Sequence, residues 1–276
     1  MGTTLNSLKL LDYFTIAKPE LGLSQVVRQT NMNKATVLRH LKELCEYGLL
    51  EQSPTTKLYS IGPVALRLAG VREATKPVLV AAHQIMKEQA VITRESLHLS
   101  LLNGNELQNA AVEESRFHSV RVTFIPSEIL PIHATASGAI MLAFGPETLK
   151  EHLKNQILPS YSDSTITDPS QILRYAQKVQ TSGWAESPGA REAGVHGFSA
   201  PVFGPDQIAI GAIACAVPQS RVTPSLRTEI LQSLQIASRD ITVAFGGLTP
   251  AAYPKQFNET LNMLPSNAGS EMETEI

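Results

Sequence analysis

The first thirty residues contain two short stretches in which apolar side chains recur at helical spacing. The first stretch covers 6–16 and predicts a helix that Pro19 ends. The second predicts a helix that Ser24 caps and that runs to about Thr30. Two short helices are therefore expected before residue 31.

A tight turn and a longer helix follow. Residues 31–33, Asn-Met-Asn, predict the turn, and Asn33 is a good N-cap for a helix over Lys34–Tyr47. The apolar residues of this third helix fall on one face. Gly48 ends the helix in the way that is usual at helix C-termini.

A small hairpin is predicted after the third helix. Residues 49–52 and 57–61 alternate between apolar and polar positions around 53–56, Ser-Pro-Thr-Thr. Helix, helix, tight turn, helix, hairpin is the order of a winged helix-turn-helix, in which the helix after the turn enters the major groove. The N-terminal pattern therefore predicts a DNA-binding domain.

Beyond residue 62 the pattern becomes a mixture of helices and strands. A connector helix is predicted over 63–73. Further helices are expected from 77 to about 90 and over 137–144, 147–156, 169–181 and 223–245, and strands over 94–102, 106–112, 119–124, 197–203 and 207–217. This mixture predicts an α+β domain built on an antiparallel sheet.

Four consecutive segments are expected along the chain. They are a winged helix-turn-helix domain over 1–62, a linker helix over 63–76, an α+β domain over 77–246 and a flexible acidic tail over 247–276. The tail contains four glutamates and has no hydrophobic period, which is typical of mobile chain ends. The expected fold class is therefore α+β with two domains.

Charge adds modest support for this division. The 276 residues have a formal net charge of −2, and residues 1–70 carry eight Lys and Arg against five Asp and Glu. A positive head on an acidic body suits a DNA reader joined to a sensing or assembly module. A solvated surface explains the same small excess almost as well.

Metal sites, membrane spans and targeting segments find no support in the sequence. Cys45 and Cys215 lie far apart without metal-ligand spacing, and we expect no metal and no cofactor. The N-terminus lacks the parts of a signal peptide, and the longest apolar stretches are too short to span a bilayer. A cytoplasmic protein without a membrane partner is therefore expected.

Enzyme motifs are absent as well. The sequence has no nucleophile elbow, Walker loop or dinucleotide fingerprint. His133 lies near Thr135 and Ser137, but no acid that could orient it is visible, and a structural histidine is expected there. We therefore expect no enzyme. An enzyme domain fused to a DNA-binding head, or a DNA-binding protein without a ligand, are the alternatives.

Motifs in both halves of the chain resemble one protein family. In the head they are Leu23-Ser24, Lys34-Ala35-Thr36-Val37 with Arg39, Gly48-Leu49-Leu50 and the wing sequence KLYSIG at 57–62. In the body they are LPIHATASGAIMLAF at 130–144 and SGWAESPGAREAGVHGFSAPVF at 182–203. Over roughly 5–246 the chain resembles the isocitrate-lyase-regulator (IclR) transcription factors.

The resemblance implies an effector-binding C-terminal domain with a GAF-like fold, and a dimeric or tetrameric regulator of neighbouring catabolic genes. Because one winged head makes few base contacts, we expect at least a homodimer on a palindromic operator in double-stranded DNA. The connector helix carries Val64, Leu68 and Val71 on one side and is a candidate contact between protomers. The same stripe could instead dock on its own body.

The predicted DNA-binding positions lie on the third helix, on the segment before it and on the wing. They are Arg28, Asn33, Lys34, Ala35, Thr36, Arg39, His40, Thr55 and Lys57. Arg39 is the expected base reader, because its planar fork can bind guanine O6 and N7 together, a contact worth roughly 1–3 kcal/mol. The alternatives are an exposed Arg39 paired with Glu43, and a half-buried His40 with satisfied hydrogen bonds.

The resemblance also implies which positions line an effector pocket. They are Ala136, Ser137, Ser187, Val195, Gly197, Ala214 and Ala216. Relatives that hold small carboxylates have more polar residues at several of these positions. Because a weakly polar pocket cannot compensate the desolvation of a small, highly charged anion, we expect an aromatic or otherwise bulky, weakly polar organic effector. The alternative is that these small residues only pack the helix against the sheet.

Overall fold

A computed structural model describes residues 3–15, 18–75, 77–125, 128–251 and 253. Within them the chain forms two compact units that divide after Pro77. We call the unit up to Pro77 the head and the unit from Val78 onward the body. Each unit has its own hydrophobic interior.

The described part of the head is a helical unit with a small hairpin. Its elements are α1 (Thr3–Leu8), a 3-10 turn (Lys9–Tyr13), α2 (Leu23–Gln29), α3 (Lys34–Tyr47), β1 (Leu50–Gln52), β2 (Tyr59–Ile61) and α4 (Pro63–Thr75). Leu10, Val26, Val37, Leu41 and Leu50 are fully buried together and hold these elements around one core. The order of elements is that of a winged helix-turn-helix, as the pattern predicts.

The third helix has the predicted bounds, whereas the elements around it differ in detail. The first helix starts earlier, at Thr3, and tightens into a 3-10 turn that ends at Tyr13, so the prediction over 6–16 is wrong at both ends. The second helix is capped by Gly22, whose backbone N–H donates to the Gln25 side chain at 2.7 Å, and not by Ser24. Residues 16 and 17 lie outside the described residues.

The wing strands are shorter than predicted. The second strand begins at Tyr59 because Lys57 has a φ of +60°, which is left-handed and incompatible with a strand. The Gln52 side chain donates to the Lys57 carbonyl at 3.0 Å and fixes this turn. The tip of the wing is therefore an ordered turn that presents Lys57.

The body is a six-stranded antiparallel sheet with helices on both faces, which confirms the α+β fold. Its elements are α5 (Val78–Thr93), β3 (Ser96–Asn103), β4 (Glu106–Glu113), β5 (Ile129–Leu130), α6 (Ala136–Phe144), α7 (Thr148–Lys154), α8 (Pro169–Ser182), β6 (Ala185–Pro188), β7 (Val195–Phe203), β8 (Ala209–Pro218) and α9 (Pro224–Ala244). The strand order is β5-β4-β3-β8-β7-β6.

Alternation along the central strands decides which helices cover which face. Phe198, Ala200 and Val202 of β7 are buried in one hydrophobic cluster with residues of α5 and α9, and α9 packs on β7 itself. Gly197 and Ser199 point to the opposite face, where α6 packs. Because Gly, Ala and Ser dominate that face, α6 approaches the sheet closely at one end.

Two predictions for the body are wrong, and two short strands were missed. Residues 119–124 form no strand, because the Val120 carbonyl accepts a hydrogen bond from the Arg221 side chain at 2.9 Å instead of from a neighbouring strand. The short strands β5 and β6 were not predicted. The start of the expected mobile tail is also ordered: Tyr253 is buried between Phe144 and Phe203 and donates to the Gly183 carbonyl at 2.8 Å. The remaining tail, residues 254–276, lies outside the described residues.

Candidate functional site

The helix α3 presents one polar face to solvent. Its N-cap Asn33 accepts a hydrogen bond from the Thr36 N–H at 2.9 Å, and Gly48 ends it at a φ of +85°. Of the predicted DNA-binding positions, Arg28, Asn33, Lys34, Ala35, Arg39, Thr55 and Lys57 are exposed and Thr36 is half-buried. These eight positions are accessible in the head as the prediction requires, whereas His40 is not.

Arg39 is exposed, as a base reader must be, and it also lies near Glu43, as the alternative expects. Its Nε lies 3.8 Å from Glu43 Oε1, and the two side chains are 61% and 53% exposed. A pair of this kind in water contributes only a few tenths of a kcal/mol. The contact therefore restrains Arg39 without preventing it from turning to a base.

His40 belongs to the core, so its place among the DNA-binding positions is wrong. Its side chain is 1% exposed, on the same buried face of α3 as Val37, Leu41 and Leu44. Its Nδ1 lies 2.6 Å from Ser7 Oγ and 3.3 Å from Glu43 Oε2. The spacing of three and four residues on a helix places position 40 between the inward positions.

The second candidate site is a cavity of about 350 Å³ inside the body. All seven positions expected at an effector pocket line it, and they come from the N-terminus of α6 and from the strands β6, β7 and β8. Gly197 and Ala216 are register partners, and so are Ser187 and Gly197, which brings these small residues side by side. Their lack of bulk leaves the space open.

The N-terminus of α6 is held rigidly against this cavity. Thr135 caps the helix by accepting from the Gly138 N–H at 3.0 Å, and Ser137 Oγ lies 3.4 Å from Ser199 Oγ on the sheet. A Cβ at Gly138 would lie 2.0 Å from the Ile132 carbonyl oxygen, so no other residue fits there. Within the described residues, no acceptor faces the backbone N–H groups of Ala136 and Ser137.

Polar residues that were not predicted complete the lining. They are His98, Thr123, Glu128, Thr135, Arg191 and Glu192, with Phe124 as an aromatic wall. They make the cavity more polar than the small residues alone suggested. Arg191 lies within a family motif, but the motif does not indicate that position 191 lines the pocket. His98 is the register partner of the pocket residue Ala214 on the neighbouring strand, and this pairing is the signal that could have identified it.

His98 is a buried neutral base. Its Nδ1 finds no hydrogen-bond partner among the described residues, and its ring lies 4.3 Å from the Phe124 ring, centroid to centroid. Burial and, as the smaller cause, the positive charge of Arg191 together lower the pKa of His98 to about 3. A neutral histidine with an unpartnered ring nitrogen therefore lies in the wall of the cavity.

Arg191 and Glu128 form an ion pair at the cavity, with side chains that are 35% and 24% exposed. Arg191 lies on the loop 189–194 between β6 and β7, and Glu128 directly precedes β5. The pair therefore connects two segments that are far apart in the sequence.

The two residues considered for catalysis, His133 and Cys215, are held in ways that fit structural roles. His133 donates from Nε2 to the Pro159 carbonyl at 2.9 Å. Burial raises the pKa of the Cys215 thiol well above its usual range, which keeps it protonated and unreactive. No cluster of three or more possible metal ligands occurs among the described residues.

The described residues contain no helix that is both long and apolar enough to span a membrane.

A winged helix-turn-helix in one chain with a cavity-bearing sheet domain defines a DNA-binding transcriptional regulator. The model of the IclR helix-turn-helix domain matches residues 3–54, and that of the bacterial transcriptional regulator IclR C-terminal domain matches residues 74–243. The chain belongs to the IclR family of bacterial transcriptional regulators, and its relatives carry the names of regulators rather than enzymes.

Individual relatives agree with this assignment. The HTH-type transcriptional regulator BhcR of Paracoccus denitrificans is 24% identical over 86% of this chain and 84% of its own. The crystal structure of an IclR-type protein from Silicibacter sp. TM1040 is 38% identical, with a TM-score of 0.75 over 92% of this chain and 100% of that chain.

A more distant structure is an IclR homolog of Microbacterium hydrocarbonoxydans in complex with 4-hydroxybenzoate. It is 22% identical and has a TM-score of 0.54 over 89% of this chain and 99% of that chain. At this identity the likeness shows the fold alone.

Proposed function

We propose that this protein is a cytoplasmic, ligand-responsive regulator of a catabolic operon. In this proposal α3 reads a palindromic operator and the cavity binds a small organic effector. The observation that carries the proposal is the convergence of all seven expected positions on one cavity of about 350 Å³, in a chain whose head exposes the basic face of α3. A volume of this size suits a small organic molecule.

Arg39 is the proposed base reader, and Lys34, Thr55 and Lys57 are the proposed phosphate contacts. The exposure of Arg39 and the weakness of its pair with Glu43 support this role. We expect Arg39→Ala to weaken operator binding by roughly 1–3 kcal/mol and to relax the preference at one base pair.

Glu43→Ala is the matched variant, since it removes the same ion pair and leaves the arginine in place. It should bind the operator at least as well as the wild type in a fluorescence-anisotropy titration. Equal losses in both variants would assign Arg39 to the helix surface and remove it from the DNA interface.

The protein is proposed to bind DNA as a homodimer or tetramer. Of the predicted stripe on α4, Leu68 and Val71 are exposed on one side of the helix and offer an apolar surface to a second copy, and Val64 is half-buried. Leu68→Asp together with Val71→Asp should lower the sedimentation coefficient and weaken operator binding, whereas Leu66→Asp on the opposite side of the same helix should leave both unchanged. An unaltered sedimentation coefficient in the double variant would place the contact elsewhere.

The effector is proposed to be an aromatic or otherwise bulky organic compound. Phe124 and the small residues of the sheet support an apolar, flat ligand, and the complex of a distant homolog with 4-hydroxybenzoate adds one candidate to the screen. A ligand that binds the folded state raises the melting temperature by mass action. Aromatic compounds should therefore raise it and change operator binding, and stabilisation by small dicarboxylates alone would overturn this effector class.

A further inference from the structure

The charged lining of the cavity carries information about the effector that the small residues do not, and the inference from it rests on the proposed sensing function. Arg191 is the single Lys or Arg among the described residues that line the cavity. Its contact with Glu128 uses one terminal nitrogen, Nη2. The Nε and Nη1 donors have no acceptor among the described residues, although a guanidinium can bind a carboxylate through two parallel hydrogen bonds.

The interior of the cavity favours a negative ligand group over a positive one. His98 is buried beside Phe124, is uncharged at neutral pH and leaves its Nδ1 without a partner. The positive charge of Arg191 acts on His98 and contributes to the lowering of its pKa. The amide N–H groups at the start of α6 add further donors and the positive end of a helix dipole. A cationic effector would meet this positive potential, whereas an anion would be attracted by it.

The two acidic groups of the lining do not cancel this preference. Glu192 is exposed at the rim, where water screens its charge. Glu128 already pairs with Arg191 through Nη2, the donor that either two-bond arrangement of a ligand carboxylate would need. Exchange of one carboxylate for another keeps the guanidinium paired, so it avoids the large cost of leaving a partly buried charge alone.

We propose that the effector is a monocarboxylate with an apolar body, and that its carboxylate replaces Glu128 on Arg191. Glu128 then serves as an internal substitute for the ligand in the free protein. Its release alters the segment before β5, where the Glu128 carbonyl accepts a hydrogen bond from the Asn109 N–H at 2.9 Å. Ligand binding is thereby connected to the edge of the sheet.

The test compares ligands of one shape and different charge. The probes are 2-naphthoate, 2-naphthamide and 2-naphthylmethylammonium, with benzoate and benzamide as a smaller pair, titrated by calorimetry into the full-length protein. We expect the wild type to bind the acid about tenfold or more tightly than the amide, as a charge-assisted pair of hydrogen bonds implies. The ammonium compound should bind more weakly than either.

Variants of the ion pair separate the two partners. Glu128→Gln should raise the affinity for the acid several-fold and leave that for the amide unchanged, because the internal competitor is gone. Arg191→Gln should abolish the preference for the acid, and Arg191→Lys should retain part of it and serves if the glutamine variant does not fold. Arg121→Gln is the matched control, since Arg121 is also 35% exposed and paired with a carboxylate at 3.5 Å but does not line the cavity.

Several outcomes overturn the inference. A preference for the acid that survives in Arg191→Gln, a Glu128→Gln protein that binds the acid no more tightly, or a preference for the ammonium compound each contradicts it. If acid and amide bind equally and both change operator binding, the inference fails and the sensing function stands. If no probe binds any variant, the proposed effector class fails with it.

Discussion

The head and the body differ in how much of their packing depends on the functional residues. The proposed DNA contacts are mostly exposed side chains on one short stretch and its wing, and little packing depends on them. The cavity is lined by residues from distant segments, many of them buried, which also form the interior of the body. Function and stability are therefore separable in the head and coupled in the body.

The sharpest contrast is expected for two glycines. Gly138→Ala places a Cβ 2.0 Å from the Ile132 carbonyl oxygen at the start of α6 and should destabilise the body by about 3 kcal/mol or more. Gly70→Ala on α4 of the head meets no atom within 4 Å and should be neutral or stabilising, by up to about 1 kcal/mol. Urea denaturation measures both. Equal effects in the two variants would contradict the contrast.

His40 is an exception in the head, because it was expected at the DNA interface but belongs to the buried core. His40→Ala removes a ring that is 1% exposed together with its contact to Ser7, and should cost about 2–3 kcal/mol. Because the side chain does not reach the surface, operator affinity at low temperature should stay within twofold of the wild type. A loss of affinity in a fully folded His40→Ala protein would return this residue to the DNA interface.

Acid should destabilise the body through His98. The pKa of His98 is about 3 in the folded protein against an ordinary value of 6.5, so the unfolded chain binds a proton that the folded chain does not. Stability then falls as the pH drops from about 6.5 toward 3, by about 2 kcal/mol at pH 5. His98→Leu should remove this part of the pH dependence. If the difference in the free energy of unfolding between the wild type and His98→Leu stays constant between pH 7 and 5, this prediction is wrong.

The smallest effect is expected at the wing. Lys57→Ala should weaken binding to all DNA sequences alike and reduce the slope of log affinity against log salt by about 0.9, as for the loss of one phosphate contact. The melting temperature should not change, because Lys57 is exposed. Anisotropy titrations over a range of salt concentrations give the slope. An unchanged slope would show that the wing does not touch the backbone of DNA.

The same contrast explains how much the sequence reveals. The bounds of α3 follow from two local devices, the Asn33 side chain at one end and the left-handed Gly48 at the other, so they could be predicted to the residue. Residues 119–124 have the composition of a strand, but Arg221, which pairs with Glu95 at 2.7 Å, binds the Val120 carbonyl. A long-range side-chain contact of this kind leaves no periodic trace.

The cavity shows the same limit. Its small residues belong to family motifs and could be named in advance, and the structure brings them together. The charged residues Arg191 and Glu128 could not be named in advance, because nothing in the sequence connects Arg191 with Glu128, which lies 63 residues earlier. Whether an arginine on a loop faces solvent or a cavity is decided by tertiary packing alone.

The position of Tyr253 has a consequence for the order in which the protein is made. The aromatic cluster of Phe144, Phe203 and Tyr253 is complete only when Tyr253, 50 residues after Phe203, has left the ribosome. The buried core cluster described in the head, by contrast, lies between Leu10 and Tyr59. During translation the DNA-reading unit can therefore fold before the body has all three rings of this cluster.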